Sequence, residues 1–585
     1  MKGREFTVRK PTISAVAIAT ILGLFCGDSL SAAPQFQTRA VWAGPESFAT
    51  AKAADDLVAR CQRAGLNLLL PDVMAYQTVS FKSSHFHGRV AASEKFDPLE
   101  YLSRKCRAAG IRIQPWCCVY YEGVRDKSNQ RLHPEWAVRS IVGKPFDKNF
   151  ISPGNPEVNP YLLSVMKDLL AYDIDGIHLD YIRYPGGAFD YSDAARKAFK
   201  SEKGFDPQDL LDHPERIVPP ETEKFPVRVL QPNIHAEKVW ETTAIERTLD
   251  QAGLGHAFIS ESPENIERLR VPSLLIVSSY YDVPQKMVAA LEQYVARGGN
   301  ILWTDIPARA LASSPALQKL TGIKSARWIG ASRVALVANG NGLLAAALDK
   351  KQFRTDSCFE VAAHNAQVLT KFAKGSAAVL QNQVGKGRVI TLAFHLMKST
   401  SPEVAAIAKQ IADSCQSEAG VSGPNPLAAK RAEWVAWRGD RVTQLVRDLS
   451  AAAKAKNPKL VISSSGGPSP FEFYACYRDA HRWLAEGIND EVFPMNYTPD
   501  PEVLTEMLDL QAASTPAGTF NHIFPGLQIY TTQTTDGKKS AGPMAAAAVG
   551  KQLEVVQRHD CPGFCLFSAE YLTDETIEVV RKFSQ

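Results

Sequence analysis

Between residues 38 and 204, and again after 425, the chain repeats one unit: a strand-like run, a loop, then an amphipathic helix. In the first span the strand-like runs are TRAVWAG (38–44), LNLLLPDV (66–73), IRIQPWCCVYY (111–121) and DGIHLDYIRYP (175–185). The helices between them are AKAADDLVARCQRAG (51–65), DPLEYLSRKCRAAG (97–110) and PEVNPYLLSVMKDLLAY (156–172); the first two stop at Gly and the third has Pro at its start. In the second span KLVISSS (459–465), DEVFPMNYT (490–498), HIFPGLQIYTT (522–532) and PGFCLFSAEYL (562–572) are the strands, again separated by helical segments. Each helix leads at once into another strand, an order that specifies a parallel sheet. Eight such units with right-handed crossovers close into a (β/α)₈ barrel, a TIM barrel. A doubly wound open sheet is the alternative, but eight regular repeats without a glycine-rich phosphate loop favour the barrel.

The interval 205–420 carries a βα series of its own: FPVRVLQPN (225–233), HAFIS (256–260), VPSLLIVSS (271–279), the helix PQKMVAALEQYVARGG (284–299), NILWTDIP (300–307) and a β-rich tail ending in GKGRVITLAF (385–394). Barrel halves at 34–204 and 421–585 therefore flank an inserted α/β domain. An insertion after the fourth strand extends the face on which barrel enzymes build their sites. VPSLLIVSSYYDV, EQYVARGGNILW and GKGRVITLAF resemble the glutamine-amidotransferase-like, flavodoxin-like domains attached to some bacterial glycosidases. True amidotransferases place a cysteine nucleophile after the strand that follows Gly-Gly. Here Trp303, Thr304 and Asp305 stand there, so the expected role is structural or glycan-contacting.

Lys2, Arg4, Arg9 and Lys10 precede the apolar segment 13–26 and the small residues SLSAA, the order of a secretory signal over residues 1–33. The expected location is secreted, periplasmic or cell-envelope. No later stretch approaches 18 uninterrupted apolar residues, so no internal membrane span is expected. A net charge of +4 spread over 585 residues, with no basic run interleaved with aromatics, gives nucleic-acid binding no support. Nine of the ten cysteines lie beyond the signal; most read as buried thiols, although Cys561 and Cys565 are close enough to bridge. No cysteine or histidine spacing calls for a metal, and no cofactor is implied.

Strand alternation puts Gly176, His178 and Asp180 on one face and Ile177, Leu179 and Tyr181 on the other. The apolar pair suits the helices, so His178 and Asp180 face the lumen, with Asp180 at the C-terminal rim. The bland reading of Asp180 is an ion pair with Arg183 that holds the loop. The other strand ends argue against it: Trp42; Asp72 and Tyr76; Trp116, Tyr120 and Glu122; Asn496 and Tyr497; Gln528 and Tyr530; Glu570 and Tyr571; the loop after Asp180 itself adds Tyr181, Arg183 and Tyr184. Aromatic planes stack on sugar rings, and amides, carboxylates and guanidinium groups bind hydroxyls. The rim therefore reads as a groove for a polysaccharide or glycan strand. His178 is more often a hydrogen-bonded lumen residue than a catalyst.

RAVWAG (39–44), SPGNPEVNPYL (152–162), YDIDGIHLDYIRYP (172–185), EWVAWRGDRVTQLVRDL (433–449) and EVFPMNYT (491–498) resemble the glycosyl-hydrolase-like 10 family of secreted bacterial barrel proteins. The resemblance implies a glycosidase-like barrel; some relatives cleave cell-wall glycan strands, and many are assigned by fold alone. The family often has two basic residues where this chain has Arg438-Gly439. Glycoside hydrolysis needs two carboxyl groups across the scissile bond. Asp180 is the first, and Glu570 is preferred as the second over Glu122 and Asp72. The alternatives are a non-catalytic glycan-binding barrel and, last, a carbohydrate esterase, for which Ser463-Ser464-Ser465 lack a nucleophile elbow.

Overall fold

The computed structural model describes residues 36–584 apart from 124–130, 141–142, 214–215, 218–226, 232–241, 279–281, 305, 396–401, 416–426, 468–471, 474–475 and 536–537. The expected signal, residues 1–33, and Asp305 lie outside the described residues. Eight parallel strands form the barrel: β1 Thr38–Ala43, β2 Leu68–Ala75, β3 Trp116–Cys118, β4 Gly176–Asp180, β5 Val461–Ser465, β6 Glu491–Phe493, β7 Gly526–Gln528 and β8 Gly563–Phe567. Neighbours pair in chain order, and β8 returns to β1 through Thr38↔Gly563 and Trp42↔Phe567.

The ring closes at Pro494. Proline has no N–H for the ladder, and the sixth strand splits around it. Its first part pairs with β5 (Ser463↔Glu491), and Met495–Asn496 beyond the proline pairs with β7 (Met495↔Gly526). Pro115 interrupts the third position in the same way: Arg112–Ile113 pairs with β2 before the break and β3 resumes after it. The seventh run is shorter than its composition suggests. After Gln528 the chain leaves the barrel as an antiparallel hairpin, Tyr530–Thr535 with Lys538–Pro543.

Alternation sorts the side chains. Leu69, Val73, Ile177, Leu179, Ile462 and Phe564 pack outward against the helices. Ala40, Trp42, Leu68, Leu70, Trp116, Cys118, Phe493 and Cys565 fill the lumen. Thr50 and Asp97 cap the first two helices by accepting from Ala53 N and Glu100 N, and Gly65 and Gly110 end them at φ +68° and +69°.

Between β4 and the long helix Ala428–Lys456 lies a second sheet of nine strands. Its parallel part runs, in space, His256–Ser260, Val227–Gln231, Leu274–Val277, Asn300–Trp303, Gly387–Leu392. Four antiparallel strands continue it, among them the 16-residue Ile323–Ala338. Separate apolar clusters cover this sheet. Arg431 joins it to the barrel by donating to Asp250 at 2.8 Å. All nine described cysteines are buried and unbridged, Cys561 and Cys565 included. No helix among the described residues is long and apolar enough to cross a membrane.

Candidate active site

A polar chain crosses the lumen beneath the rim. Trp42 Nε1 donates to His178 Nε2 at 3.1 Å, which leaves Nδ1 as the protonated ring nitrogen facing Ser463 Oγ at 2.9 Å. Ser463 donates to Gln114 Oε1 at 2.6 Å, and Gln114 Nε2 donates to Glu491 at 2.9 Å. The bond from Trp42 needs a neutral imidazole, since a protonated Nε2 cannot accept it, and burial lowers the His178 pKa to about 4. His178 is thus a hydrogen-bonded lumen residue. Its folded pKa lies below its unfolded value, so the unfolded chain binds the extra proton first. The stability this contributes is present above pH 6.5 and is lost as pH falls towards 4, on the order of 3 kcal/mol in all. Urea midpoints at about pH 7 and about pH 4 should differ by less in His178→Gln than in the wild type; an unchanged difference would remove His178 as the cause.

Two residues further along β4, Asp180 reaches the mouth, 8% exposed. Its Oδ1 accepts from Ser465 Oγ at 2.5 Å and from Tyr181 N at 2.6 Å. Tyr181 has φ 48° and Tyr76, at the end of β2, φ 51°, a left-handed backbone uncommon for aromatic residues. No Asp180–Arg183 ion pair exists among the described residues. Arg183 donates to Tyr184 O and lies over the rings of Tyr181 and Phe150, at 5.2 and 5.7 Å. The charge beside Asp180 is instead Arg478, from the segment after β5. Burial pulls its guanidinium down, but Glu472, Cys476 and Asp180 outweigh that and hold it above the ordinary arginine value.

Asp72 faces the same mouth from β2. It is 4% exposed; burial first, then the charges of Asp180 and Glu570, push its carboxyl well above the usual aspartate range. Glu570 is exposed at the end of β8, and its Oε1 accepts from Gly44 N at 2.6 Å and Ser47 Oγ at 2.7 Å. Partial burial raises its pKa, but hydrogen bonds from Ser47, Ser568 and Gly44 outweigh this and keep it below the ordinary glutamate value. The mouth also gathers buried polar atoms with no hydrogen-bond partner among the described residues: Asp72 Oδ1, Trp116 Nε1, Arg478 Nη1 and Asn496 Nδ2. Folded proteins leave few such atoms unpaired. Four of them belong to residues around the C-terminal ends of the barrel strands.

Of the expected contact residues, Tyr76 is 40% exposed, and Tyr181, Arg183, Tyr497, Gln528, Tyr530 and Tyr571 are partly exposed. Tyr497 lies near enough to Asp180 for that charge to add to burial in raising its phenol pKa. Others are corrected. Tyr120 and Tyr184 are fully buried, Tyr120 bonded to Asn159 and Tyr184 edge-on to Tyr477. Each follows its strand's end on the outward side, where aromatic character fills the core. Trp42 and His178 are lumen filling. Glu122 turns away to bond His133 through both oxygens. Arg478 and Ser465 were not among the expected site residues. Ser465 is two places beyond the inward-facing Ser463, so alternation signals it; Arg478 sits in an irregular segment where no periodicity applies. A cavity of about 230 Å³ borders Asp72, Tyr76, Glu46 and Arg89. A larger one, about 1190 Å³, lies outside the barrel beside helix Pro98–Ala108 and shares none of these residues.

Residues 407–540 match the Glycosyl hydrolase-like 10 family, a stretch holding β5, β6, β7 and Arg478. The second half of the barrel is thus similar to a glycosyl-hydrolase-like family. Residues 243–416, most of the second sheet, match the family described as Beta-galactosidase trimerisation domain. Among curated proteins, the Glycosyl hydrolase DigH of Escherichia coli (strain K12) is 23% identical over 163 residues, 24% of this chain and 37% of that protein. An S-layer-related protein of Niallia circulans is 25% identical over 204 residues, 30% of this chain and 13% of that one. The chain thus matches well under half the length of either relative. The glycoside hydrolase domain of PgaB (BpsB) from Bordetella bronchiseptica aligns with 94% of this chain and 99% of its own, at 10% identity and a TM-score of 0.45.

Proposed function

We propose that this protein hydrolyses O-glycosidic bonds of a polysaccharide at the barrel mouth, with Asp180 as the central carboxylate. The observation that carries the reading is the set of polar atoms without a hydrogen-bond partner among the described residues, on Asp72, Trp116, Arg478 and Asn496, at the same end of the barrel as Asp180. Such atoms suit sugar hydroxyls, and Tyr76, Tyr181 and Tyr497 offer ring faces beside them. Two further carboxyl groups, Asp72 and Glu570, stand at the same end of the barrel, and the charges of Asp180 and Glu570 both act on Asp72; they are the groups a two-carboxylate hydrolysis would draw on. Glu570, expected as the partner, is held ionised and braces the loop after β1, which suits charge stabilisation better than proton donation. That bracing is also what a glycan-binding protein without catalysis would retain. An esterase lacks support: Ser463 is buried and gives its proton to Gln114.

Export by the N-terminal segment would put this activity outside the cytoplasm, where cell-wall glycan strands, the kind of substrate the family resemblance suggests, are accessible. The interval 205–420, read as an amidotransferase-like insertion, is assigned a structural or glycan-contacting role. Purified protein offered peptidoglycan, stripped glycan strands and plant or algal polysaccharides should release reducing ends from at least one, with the anomer of the product read by NMR. Binding without release would establish the glycan-binding alternative, and neither would sink both readings.

A further inference from the structure

Of the three carboxyl groups at the mouth, one is built differently from the others. Asp180 has two donors on Oδ1, and Glu570 has Gly44 and Ser47. Asp72 is more buried than either, has an oxygen with no partner among the described residues, and borders the cavity that opens between the loops after β1 and β2. A carboxylate so placed is poorly solvated, whereas a carboxylic acid carries a hydrogen that a ligand oxygen can accept. We propose that Asp72 is the general acid, protonating the glycosidic oxygen as the bond breaks. This rests on the glycosidase reading.

The groups facing Asp72 favour the assignment, against one opposing hydrogen bond from Met74 N. Asp180 on β4 and Glu570 beyond β8 oppose a third negative charge; burial and both charges raise its pKa. Cys117 and Cys118 on β3 are thiols that burial and Asp72 push up, so they stay neutral. Arg89 and Glu46 line the cavity's outer side and are exposed. In the step, the Asp72 proton moves to the bridging oxygen, which keeps the C1–O electron pair and leaves as a hydroxyl. C1 gains an oxygen on its opposite face, from the Asp180 carboxylate or from a water that gives Asp180 its proton. One water is consumed, and Asp72 regains a proton from that water or from solvent.

Two measurements test the proposal separately from the activity it serves. Difference infrared spectroscopy of wild type minus Asp72→Asn should show a protonated carboxyl at neutral pH, and its titration should move down in the Asp180→Asn background. A carboxylate signal at neutral pH overturns the proposal whether or not any glycan is cleaved. Kinetics then decide the role. With glycan strands, Asp72→Asn should lose roughly 10²–10⁴-fold in kcat together with the basic limb of the pH profile. With a 2,4-dinitrophenyl glycoside of the same sugar, whose leaving group needs no proton, it should keep most of its rate. Equal losses on both substrates, or a basic limb left in place, overturn the assignment. Activity absent from wild type as well would count against the glycosidase reading, with the infrared result standing alone.

Discussion

Asp180→Asn should abolish glycan cleavage, lowering kcat/KM by about 10³-fold or more, while moving the thermal midpoint little. Asparagine keeps an oxygen where Oδ1 accepts from Ser465 and Tyr181 N, so the end of β4 retains its hydrogen bonds. The substitution removes a negative charge at the mouth and nothing from the apolar core, since Asp180 packs beside polar partners rather than inside the helix-facing cluster. Nor does it break an ion pair with Arg183, which is held by Tyr184 O and two aromatic rings. Reducing-end release by the variant near the wild-type rate would remove Asp180 from the chemistry. A midpoint lowered by many degrees, with activity lost only through unfolding, would make the residue structural. Glu570→Gln serves as the contrast: it weakens the Gly44 and Ser47 brace and should lower affinity before it lowers turnover.

The barrel was legible because its signals are periodic and repeated. Gly-stopped helices at 65 and 110 and alternation in DGIHLD placed β4 and aimed Asp180 correctly. The interruptions at Pro115 and Pro494 are visible in sequence as residues unable to donate to a ladder. What Pro494 does, letting one strand position serve two neighbours, depends on closure and cannot be read locally. Rim residues were most legible on the strands and in the first position beyond them, such as Tyr76, Tyr181 and Tyr497. Further beyond the last paired residue the period of two ends, so Tyr184 and Glu122 look like groove residues but turn away from the groove. Arg478 shows the same limit from the other side. Its guanidinium occupies the space that a Cβ on Gly466 would enter, 2.0 Å from Arg478 Cζ, and Gly466 has φ +93°. Gly439 has a similar cause: a Cβ there would stand 2.4 Å from the Phe473 ring. A larger residue after Arg438 would need that space. Arg438 itself donates to Gly187 O and Phe189 O and ties the segment after β4 to the long helix.

Trp42→Ala should be the most destabilising single change in the barrel lumen, by about 3–5 kcal/mol from lost packing alone. The indole is 2% exposed and touches rings from four directions: Phe493, Tyr497, Phe567 and His178, with centroids 5.9–6.4 Å away. The site cannot collapse to fill the void. Gly526, whose Cβ would lie 2.7 Å from the indole, already contributes no side chain, and the barrel ladders on both sides of β1 fix the backbone. The change also strips His178 Nε2 of its donor, adding about 1–3 kcal/mol for a buried acceptor left unmet. Trp42→Phe separates the two costs, because phenylalanine restores much of the volume but not the N–H. Equilibrium denaturation followed by the signal of the barrel should therefore rank wild type above Trp42→Phe and Trp42→Ala last. If Phe and Ala lose the same amount, packing is not what Trp42 supplies and the His178 bond dominates. If neither loses more than about 1 kcal/mol, less than an ordinary core truncation, the lumen is held chiefly by the ladders and by the outward-facing core.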